Sequence, residues 1–577
     1  MKEFLHNLFR LNMSALFKEP TSNPWIGLFR YCFAGGLAFL IDFGCYLLLT
    51  QLGMHYLAAA LIAFIISFLV NFLISRKLIF SQNKSSQTVA AEIIKVLGIA
   101  LIGLLLTEFL LFVCIQLLHL GRLISKVIAS IIVLIWNYLG RRYFVYRQSP
   151  IKCPAFLKQW SKLALVVLLS IVIGMGALTA VYCIPVDGIN ENLVKSAAIF
   201  KEEGVYPSLD YKVTSQLDNF TDALMLHTAG YRITESPLVE AALINRLECV
   251  DAITPVESLI AEAFGEQQEM KIVSYSHYWH GYLVILKPLL TVFTYGQIRT
   301  INTVFQYALI VLLFSLLIIK KQYAYTIPTM LLLAFQGMNT TVLSLQFSTI
   351  FYIYIIAMMV LLLFYERWKD TPAILLYFTI LGIVTAYLDF LTYPLVTYGV
   401  PLALLLVMNK KQPFFAQIKT IVSAGFAWIL GFAGMWLGKG VVGTLITKKN
   451  VFEELFLAVQ KRSVGVEEDI AFRTTIDRNI SAFLRSYFYD IAVIICAVLF
   501  IVLLLRTCKE RRIAHIFNNL GFGLLCCAPI CWYFVLNEHS YLHYWFTYRE
   551  CLIILFSVVV MLVKMNLDLQ KTEKKPS

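Results

Sequence analysis

Charged residues are scarce in this chain of 577 residues. Asp, Glu, Lys and Arg make up 14% of it, whereas soluble globular proteins carry about 25%. Acidic residues are the scarcer sign, with 35 Asp and Glu against 48 Lys and Arg. Hydrophobic residues make up 59%, and the mean hydropathy is +0.75. The shortage of charge excludes a soluble enzyme and a disordered chain, and repeated apolar runs of about twenty residues predict an all-α polytopic membrane protein.

Few cysteines lie outside the apolar segments, which excludes a scaffold held together by disulfides. The chain has 12 cysteines, and of these we expect Cys249 and Cys183 in or beside an external loop. The net charge of +13 would suit nucleic-acid binding in a soluble protein. In a membrane protein, basic cytoplasmic loops explain it. We therefore expect the lipid bilayer as a partner, and no nucleic acid.

The apolar runs predict about fourteen membrane helices. Their expected ranges are 27–50, 57–75, 96–118, 123–140, 163–183, 299–319, 325–338, 349–364, 373–389, 391–408, 419–438, 486–506, 516–536 and 548–565. Basic clusters fall on one side by parity, among them 141–162, which has six Lys or Arg and no acid. That side is cytoplasmic, so we expect a multi-pass membrane protein with both termini in the cytoplasm. Residues 1–26 are predicted to form an amphipathic interfacial helix, and residues 148–162 a basic cytoplasmic linker.

Two long connections fall on the external side. Residues 184–282 hold fifteen Asp or Glu against six Lys or Arg, and prolines interrupt helical stretches such as 191–203 and 238–249. Residues 439–485 are basic instead. Long loops often depart from the positive-inside rule. The basic segment is therefore either a solvated loop or a region that binds an anionic ligand.

The first four helices repeat with a period of 66 residues. The motif NFLISR at 71–76 recurs as NYLGRR at 137–142, and the same offset carries Asp42 onto Glu108. A unit of two helices keeps its orientation when it is duplicated, so these are parallel helix-hairpin repeats. Internal repeats of membrane helices are typical of transporter folds.

Two acids and two Asn/Arg pairs are the candidate functional residues of this first domain. They are Asp42, Glu108, Asn71, Arg76, Asn137 and Arg142. An acid near the middle of a membrane helix is costly, so we expect both acids to face the bundle interior or a hydrated groove. Each Asn can bond across helices, and each Arg can reach headgroup phosphates. The alternative is that the arginines anchor the topology and the acids hold helices together.

The residues from about 28 to 147 resemble the GtrA-like family. The resemblance rests on the Gly35-Gly36 segment with Asp42, on AFIISFLVNFLISRKLIF, and on the second copy NYLGRR. It implies a four-helix membrane domain over 27–147 that flips or delivers polyprenyl-phosphate-linked sugars, and a location in the bacterial inner membrane. No catalytic signature is present in this half, which agrees with such a role.

Residues 163–577 look like a glycosyltransferase of the GT-C type. Ten predicted helices with a large external loop after the first of them give this architectural resemblance. It implies an enzyme that uses a lipid-linked sugar and carries its catalytic carboxylate in an early external loop.

The motif DNFTD at 218–222 supplies the candidate base of this second domain. In a helix its two acids lie four residues apart on one face. Glycosyl transfer to a hydroxyl needs a base, and a carboxylate with a raised pKa suits that task. Asp218 is the first candidate, Asp222 its partner, and Asp187 the main rival. The alternative is two solvated acids on a loop helix.

Three further motifs at the predicted external face are candidates for substrate binding. They are YSHYWHGY at 275–282, DFLTYP at 389–394 and EHSYLHYWFTYR at 538–549. The expected binding residues for the donor sugar or phosphate are His277, His280, His539, His543 and Arg549. Asp389 is the candidate for binding acceptor hydroxyls. The alternatives are interfacial aromatic residues and an acid that caps a turn.

Taken together, the two halves predict an inverting hexosyl- or pentosyltransferase. The donor is a polyprenyl-phosphate-linked sugar, delivered by the first half, and the acceptor is an external cell-envelope glycan or polymer. Positioning and electrostatics supply most of the rate of such a transfer. No cofactor is required, and the acidic loop leaves room for a divalent metal without any ligand spacing that demands one. A separate cytoplasm-facing synthase must make the donor.

Two other functions stay open. One is a lipid-linked-sugar flippase or transporter without transferase activity, in which the second half only binds or scaffolds. The other is a polymer ligase that uses a pyrophosphate-linked glycan. The sequence does not identify the sugar, the acceptor or the linkage.

Overall fold

The computed structural model describes the chain in several stretches. They are residues 7, 12–18, 23–52, 54, 56–79, 89–112, 132–146, 155–210, 212–231, 236–264, 269–409, 413–463, 470–485, 502 and 519–573. The chain divides into two compact units, Met1–Lys158 and Gln159–Ser577. Each unit is described by itself.

The first unit is helical. Its described helices are α1 (Pro24–Gln51), α2 (Tyr56–Ile74), α3 (Val89–Phe112) and α4 (132–140). The expected interfacial helix over 1–26 is described only in part, and its last residues belong to α1. Within it, Ser14–Lys18 forms a helical turn. Arg30 holds this turn, because its Nε donates to Leu16 O (2.7 Å) and its Nη2 to Ala15 O (3.0 Å).

The 66-residue repeat is visible in the backbone of the first unit. After α2 the chain forms a π-helical turn over Ser75–Ile79, and after α4 it forms another over Arg141–Val145. The two turns begin 66 residues apart, as the sequence repeat predicts. Arg141 Nη1 donates to Ser75 Oγ (3.1 Å), which is its own counterpart in the other copy. Equivalent positions therefore meet, as they do near the axis that relates two repeats.

The second unit is also mainly helical, and its main elements follow one another along the chain, the first beginning four residues before the unit boundary. They are α5 (Ala155–Tyr182), α6 (Asp187–Glu203), α7 (Asn219–Gly230), α8 (Pro237–Leu243), β1 (Asn245–Cys249), α9 (Pro255–Ala263), β2 (Met270–Ser274), α10 (Leu283–Leu290), α11 (Tyr295–Ile319), α12 (Thr326–Gln336), α13 (Leu345–Trp368), α14 (Ala373–Leu388), α15 (Val396–Met408), α16 (Phe414–Thr447), α17 (Val451–Ser463), α18 (Phe472–Leu484), α19 (Gly521–Val535), α20 (Asn537–Leu542) and α21 (Leu552–Glu573).

Five helical segments among the described residues are long and apolar enough to cross a membrane. They are Lys158–Tyr182, Tyr295–Ile319, Leu345–Trp368, Phe414–Thr447 and Tyr544–Asp568. The shorter helices α14, α15 and α19 are apolar as well. The chain is thus a multi-pass membrane protein, and fourteen crossings remain a prediction. Of the expected spans, 486–506 lies outside the described residues except for residue 502, and so does the first part of 123–140.

Residues 187–282 fold into a subdomain of short helices and one antiparallel hairpin. Strands β1 and β2 pair from Asn245 with Ser274 to Cys249 with Met270. The prediction of a helix over 191–203 agrees with α6. The predicted helix over 238–249 is wrong beyond Leu243, because Ile244 adopts a left-handed conformation (φ 53°) that ends α8 and starts the strand.

Lys439 lies inside a helix, whereas the sequence places it at the start of an external loop over 439–485. Helix α16 continues to Thr447. The side chain of Lys439 is buried, and its Nζ donates to Ala241 O (2.8 Å) and lies 5.5 Å from the centroid of the Trp279 ring. A carbonyl and an aromatic face compensate a buried ammonium group. The helix therefore extends past Lys439, where the apolar pattern of the sequence predicts that it ends.

Helices α14 and α16 cross in backbone contact. A Cβ added at Gly382 would lie 2.1 Å from Trp428 O, and one added at Gly431 would lie 2.1 Å from Thr379 O. Glycine on both helices is what allows two membrane helices to approach so closely. The crossing holds the end of α14, and so the turn at Asp389, in a fixed place.

Candidate functional site

Asp218 and Asp222 are both buried, at 2% and 0% exposure, so the alternative of two solvated acids is wrong. Asp218 is the N-cap of α7, and its two carboxylate oxygens accept from Thr221 N (3.0 Å) and Thr221 Oγ1 (2.7 Å). Burial raises the pKa of Asp218 to about 7, although both bonds from Thr221 favour the ionised form. A carboxyl group with such a pKa can take or release a proton near neutral pH.

Asp222 has a different environment, because it caps a remote helix. Its oxygens accept from Leu345 N (3.0 Å) and Gln346 N (3.1 Å), the first residues of α13, and from Tyr295 Oη (2.6 Å) and Ser344 Oγ (3.4 Å). Four donors fill the acceptor positions of one carboxylate. The geometry therefore favours a clamp between α7 and α13 over a second catalytic acid.

A polar brace fixes the start of α7 beside this clamp. Arg299 on α11 donates to Glu203 Oε1 (2.6 Å) and to Asn219 Oδ1 (2.9 Å), and Asn219 Nδ2 donates to Glu203 Oε2 (2.9 Å). Each of the three side chains bonds to the other two. Because Asn219 directly follows the N-cap residue Asp218, these bonds also fix the position of Asp218. Sequence reasoning missed Glu203 and Arg299, since residues 96 positions apart carry no local pattern.

A long apolar cavity begins next to Asp222. It has a volume of about 860 Å³, and its wall runs from Met225, Tyr282 and Leu345 at one end to Trp368 and Ala373 at the other. Helix α13 lines it over its 24 residues, a length of about 35 Å at 1.5 Å per residue. That length matches the hydrocarbon core of a bilayer.

The cavity opens sideways through its apolar wall. Three lining residues on different helices are strongly exposed: Ile285 on α10 at 59%, Phe305 on α11 at 60% and Ile356 on α13 at 45%. An apolar groove that is open along its length suits a hydrocarbon chain entering from the membrane.

Tyr282 connects this cavity to the motif at 275–282. Its ring lines the cavity, and its hydroxyl lies 3.0 Å from His280 Nδ1. The motif packs against the end of α14, where Gly281 N donates to Tyr387 O (2.8 Å). A Cβ added at Gly281 would lie 2.5 Å from that oxygen. Glycine is therefore required for this approach.

Three of the motifs singled out in the sequence meet at this point. The His280 ring stacks on Phe390 of the 389–394 turn (centroids 5.7 Å apart), and His539 Nε2 lies 2.8 Å from Leu391 O of the same turn. His543 packs on His539 at 4.8 Å. We call His277, His280, His539 and His543 the histidine cluster. Residues up to 266 positions apart in sequence thus form one site.

The four rings of the histidine cluster are uncharged at neutral pH. Burial lowers the pKa of His277 to about 3 and that of His543 to about 4, and it brings the pKa values of His280 and His539 well below their usual range. The cluster can therefore donate and accept hydrogen bonds, but it supplies no positive charge to a phosphate.

Arg462 is a cation beside the cluster, and the sequence analysis assigned it no individual role. It lies on α17, and its guanidinium carbon is 5.3 Å from the centroid of the Tyr278 ring. Its charge contributes to the lowered pKa of His277, His539 and His543. Among the described residues it pairs with no carboxylate, and its Nη1 donates to Ala458 O (3.1 Å). The excess of basic residues over 439–485 was the signal that pointed to it.

The guanidinium of Arg549 binds other residues of the protein. It is fully buried, and it donates from Nε to Gln336 O (2.9 Å) and from Nη2 to Thr340 Oγ1 (2.9 Å). Its guanidinium also lies 4.4 Å from the centroid of the Phe347 ring. The expected position at the membrane surface, ready for a lipid phosphate, does not agree with this burial.

The two remaining acids of the second unit have contrasting environments. Asp389 is buried and caps its turn, because Leu391 N (2.9 Å), Thr392 N (3.0 Å) and Thr392 Oγ1 donate to it. Burial raises its pKa to about 6. Asp187 is exposed at the start of α6. The geometry thus favours the capping interpretation for Asp389, and among the described residues no hydrogen bond or ion pair joins Asp187 to the histidine cluster.

In the first unit two of the candidate polar residues, Asn71 and Arg76, pair with residues of the other copy. Asn71 Oδ1 accepts from Arg141 Nη1 (2.8 Å), Arg76 Nε lies 3.0 Å from Glu92 Oε2, and Arg142 lies against the Tyr138 hydroxyl (3.5 Å). Asn137 packs on Gly103 of α3. The side chains of Asp42 and Glu108 lie outside the described set. The roles of Arg141 and Glu92 were not expected from the sequence.

The described residues contain no group of three or more His, Cys, Asp or Glu side chains that could hold a metal ion. Asp218, Asp222 and Asp389 bind hydroxyl and N–H donors.

Comparison with known proteins identifies the first unit. Residues 30–146 match the family described as GtrA/DPMS, transmembrane domain. The chain thus contains a GtrA/DPMS transmembrane domain, which confirms the resemblance found over 28–147 and indicates a part in handling lipid-linked sugars. No curated protein and no solved structure matches the chain. The GT-C resemblance of residues 163–577 stays a prediction.

Proposed function

We propose that this protein is an inverting membrane glycosyltransferase that moves a sugar from a polyprenyl phosphate to an external cell-envelope glycan or polymer. In this proposal the GtrA/DPMS domain flips or delivers the lipid-linked sugar, and the second unit consumes it. A separate cytoplasm-facing synthase makes the donor.

The observation that carries the proposal is the junction of the apolar cavity with a polar site. The cavity has the length and lining that a polyprenyl chain needs, and it ends at Tyr282, whose hydroxyl contacts His280. A lipid whose chain lies along α13 would present its phosphate and sugar to the histidine cluster and Arg462. A lipid-linked sugar fits a site that is apolar over a membrane's thickness and polar at one end.

The chemistry assigned to this site is direct displacement at the anomeric carbon. Asp218 accepts the proton of the acceptor hydroxyl while the sugar–phosphate bond breaks, and the phosphate leaves with both bonding electrons. Each Asp218 oxygen accepts one bond from Thr221 and keeps a second lone pair for that hydroxyl. Arg462 stabilises the charge that develops on the phosphate. A single displacement inverts the configuration.

The test is sugar transfer by the full-length protein in proteoliposomes that contain a polyprenyl-phosphate-linked sugar on the acceptor side. Asp218→Asn keeps an N-cap, because Asn caps helices about as well as Asp, but it removes the base. We expect transfer to be lost while the protein stays folded. Glu191→Gln is the matched control, since Glu191 is an exposed acid on α6 that pairs with Lys195. Full transfer by Asp218→Asn would contradict the proposal.

A carrier without transferase activity is the second candidate, favoured by the match of the GtrA/DPMS domain to the first unit. In that case the second unit binds the lipid-linked sugar without breaking a bond. No variant of Asp218 would then change any measured product, and the wild-type protein would move the donor between leaflets without consuming it.

A further inference from the structure

Arg141 is a buried cation, and its hydrogen-bond partners among the described residues are uncharged. It is 6% exposed, its Nη1 donates to Asn71 Oδ1 (2.8 Å) and Ser75 Oγ (3.1 Å), and its guanidinium lies 5.3 Å from the centroid of the Tyr31 ring. None of these groups is an anion, and within the described part of the chain no carboxylate pairs with Arg141. Removing a guanidinium from water costs several kcal/mol unless a counter-charge compensates.

Arg76 has a charged partner, but an incomplete one. Its Nε lies 3.0 Å from Glu92 Oε2, and the two side chains are 40% and 1% exposed. Glu92 Oε1 is buried and, among the described residues, has no hydrogen-bond partner. The pair uses only Nε of the Arg76 guanidinium, and the side chain is partly exposed, so its Nη donors remain available to a second anion.

The two arginines belong to one cluster. Arg141 binds Ser75, the residue directly before Arg76. The hydroxyl of the buried Tyr146 lies within electrostatic range of Arg76, Arg141 and Glu92 together. Two guanidinium groups and one carboxylate give this cluster a charge of +1. A phosphodiester carries one negative charge and would neutralise it, and a phosphate monoester, with a charge of about −1.5 to −2 at pH 7, would do so as well.

We propose that Arg76 and Arg141 form a binding site for a phosphate group, and that Glu92 competes with the phosphate for Arg76. The ligand class is the phosphate of a lipid, since the site lies in a membrane domain; free phosphate has the same chemistry and is separated by the test. This inference deepens the carrier role proposed above and rests on it, but it does not require sugar transfer by the second unit. Glu92 makes the site self-neutralising when empty and allows the lipid to leave.

The test is photolabelling of the full-length protein in detergent with farnesyl phosphate that carries a diazirine on its chain. Labelled peptides from 56–79, 89–112 and 132–146 report on this site, and those from α13 and α14 report on the cavity of the second unit. Unlabelled farnesyl phosphate, farnesol and inorganic phosphate serve as competitors. Arg76→Gln and Arg141→Gln should each weaken competition by farnesyl phosphate about tenfold, since a charge-assisted hydrogen bond is lost. Lys162→Gln, which removes an exposed cation elsewhere, should change nothing.

Glu92→Gln should change the binding of farnesyl phosphate in the opposite direction from the two arginine variants. A misfolded protein would bind more weakly, so tighter binding cannot come from misfolding. Loss of the competing carboxylate should strengthen binding of farnesyl phosphate about fivefold. A Glu92→Gln protein that binds as weakly as the arginine variants would overturn the proposal, because Glu92 would then be a structural brace. Equal competition by farnesol would also overturn it, and equal competition by inorganic phosphate would reject the lipid as the ligand. Absent labelling of α13 and α14 would count against the transferase proposal alone.

Discussion

At the residue scale, the buried carboxyl of Asp218 predicts an unusual pH dependence of transfer. Burial raises its pKa from 3.8 to about 7, and a base must be ionised to accept a proton. The rate should therefore rise with pH, with a midpoint near pH 7, and fall about tenfold for each unit below it. The measurement is the initial rate from pH 5 to 9 with donor supplied on the acceptor side.

Thr221→Val provides the matched variant for this profile. It removes the Oγ1 bond to Asp218 (2.7 Å) and leaves the backbone bond from Thr221 N. The lost bond favours the ionised carboxylate, so the midpoint should move to higher pH. A midpoint near pH 4 in the wild-type protein, as for an exposed carboxylate, would exclude Asp218 as the base.

Arg462 should determine how tightly the donor binds. Arg462→Gln removes the cation beside the histidine cluster and is expected to raise KM for the donor about tenfold, with a partial rescue in Arg462→Lys. Arg473→Gln is the control, because Arg473 lies on α18 in the same basic region and its side chain is 92% exposed. Equal effects of the two Gln variants would show that general electrostatic attraction, and not this site, binds the donor.

At the scale of elements, the glycine crossing of α14 and α16 should be intolerant of a methyl group. In Gly431→Ala the new Cβ would lie 2.1 Å from Thr379 O. A backbone atom cannot move aside as a side chain can, so we expect a loss of about 3 kcal/mol, at the upper end for overpacking. Gly176→Ala is the control: it lies on α5 with nothing within 4 Å, and Ala there should stabilise the helix by about 1 kcal/mol. The measurement is the thermal unfolding midpoint in detergent, and equal midpoints for the two variants would contradict this packing.

Among the elements, the sequence predicted correctly those features that depend on a local pattern of residues. The 66-residue repeat recurs as two π-helical turns, and the stretch 191–203 lies within α6. The strand at 245–249 was missed because its partner β2 lies beyond another helix, and pairing is decided by that partner. Lys439 was placed outside its helix because Ala241 O, which binds its ammonium group, is 198 residues away.

The same limit applies to the site. Motif composition identified the histidines and Asp389 one motif at a time, but their convergence depends on Gly281 meeting Tyr387 and on His539 meeting Leu391 O. The burial of Arg549 depends on Gln336 and Thr340, which are more than 200 residues earlier. A side chain's role thus follows from partners that spacing in the sequence does not reveal.

At the scale of the whole molecule, two units with separate tasks should be separable by mutation. Reconstituted protein is supplied with the lipid-linked sugar either in the leaflet opposite the acceptor or in the acceptor's own leaflet. Asp218→Asn should abolish transfer in both arrangements while movement of the donor between leaflets continues. Arg76→Gln should slow transfer from the opposite leaflet and leave transfer from the acceptor's leaflet intact. This asymmetry follows because Arg76 belongs to the GtrA/DPMS domain and Asp218 to the second unit, and loss of both activities in both variants would show that the two units act as a single machine.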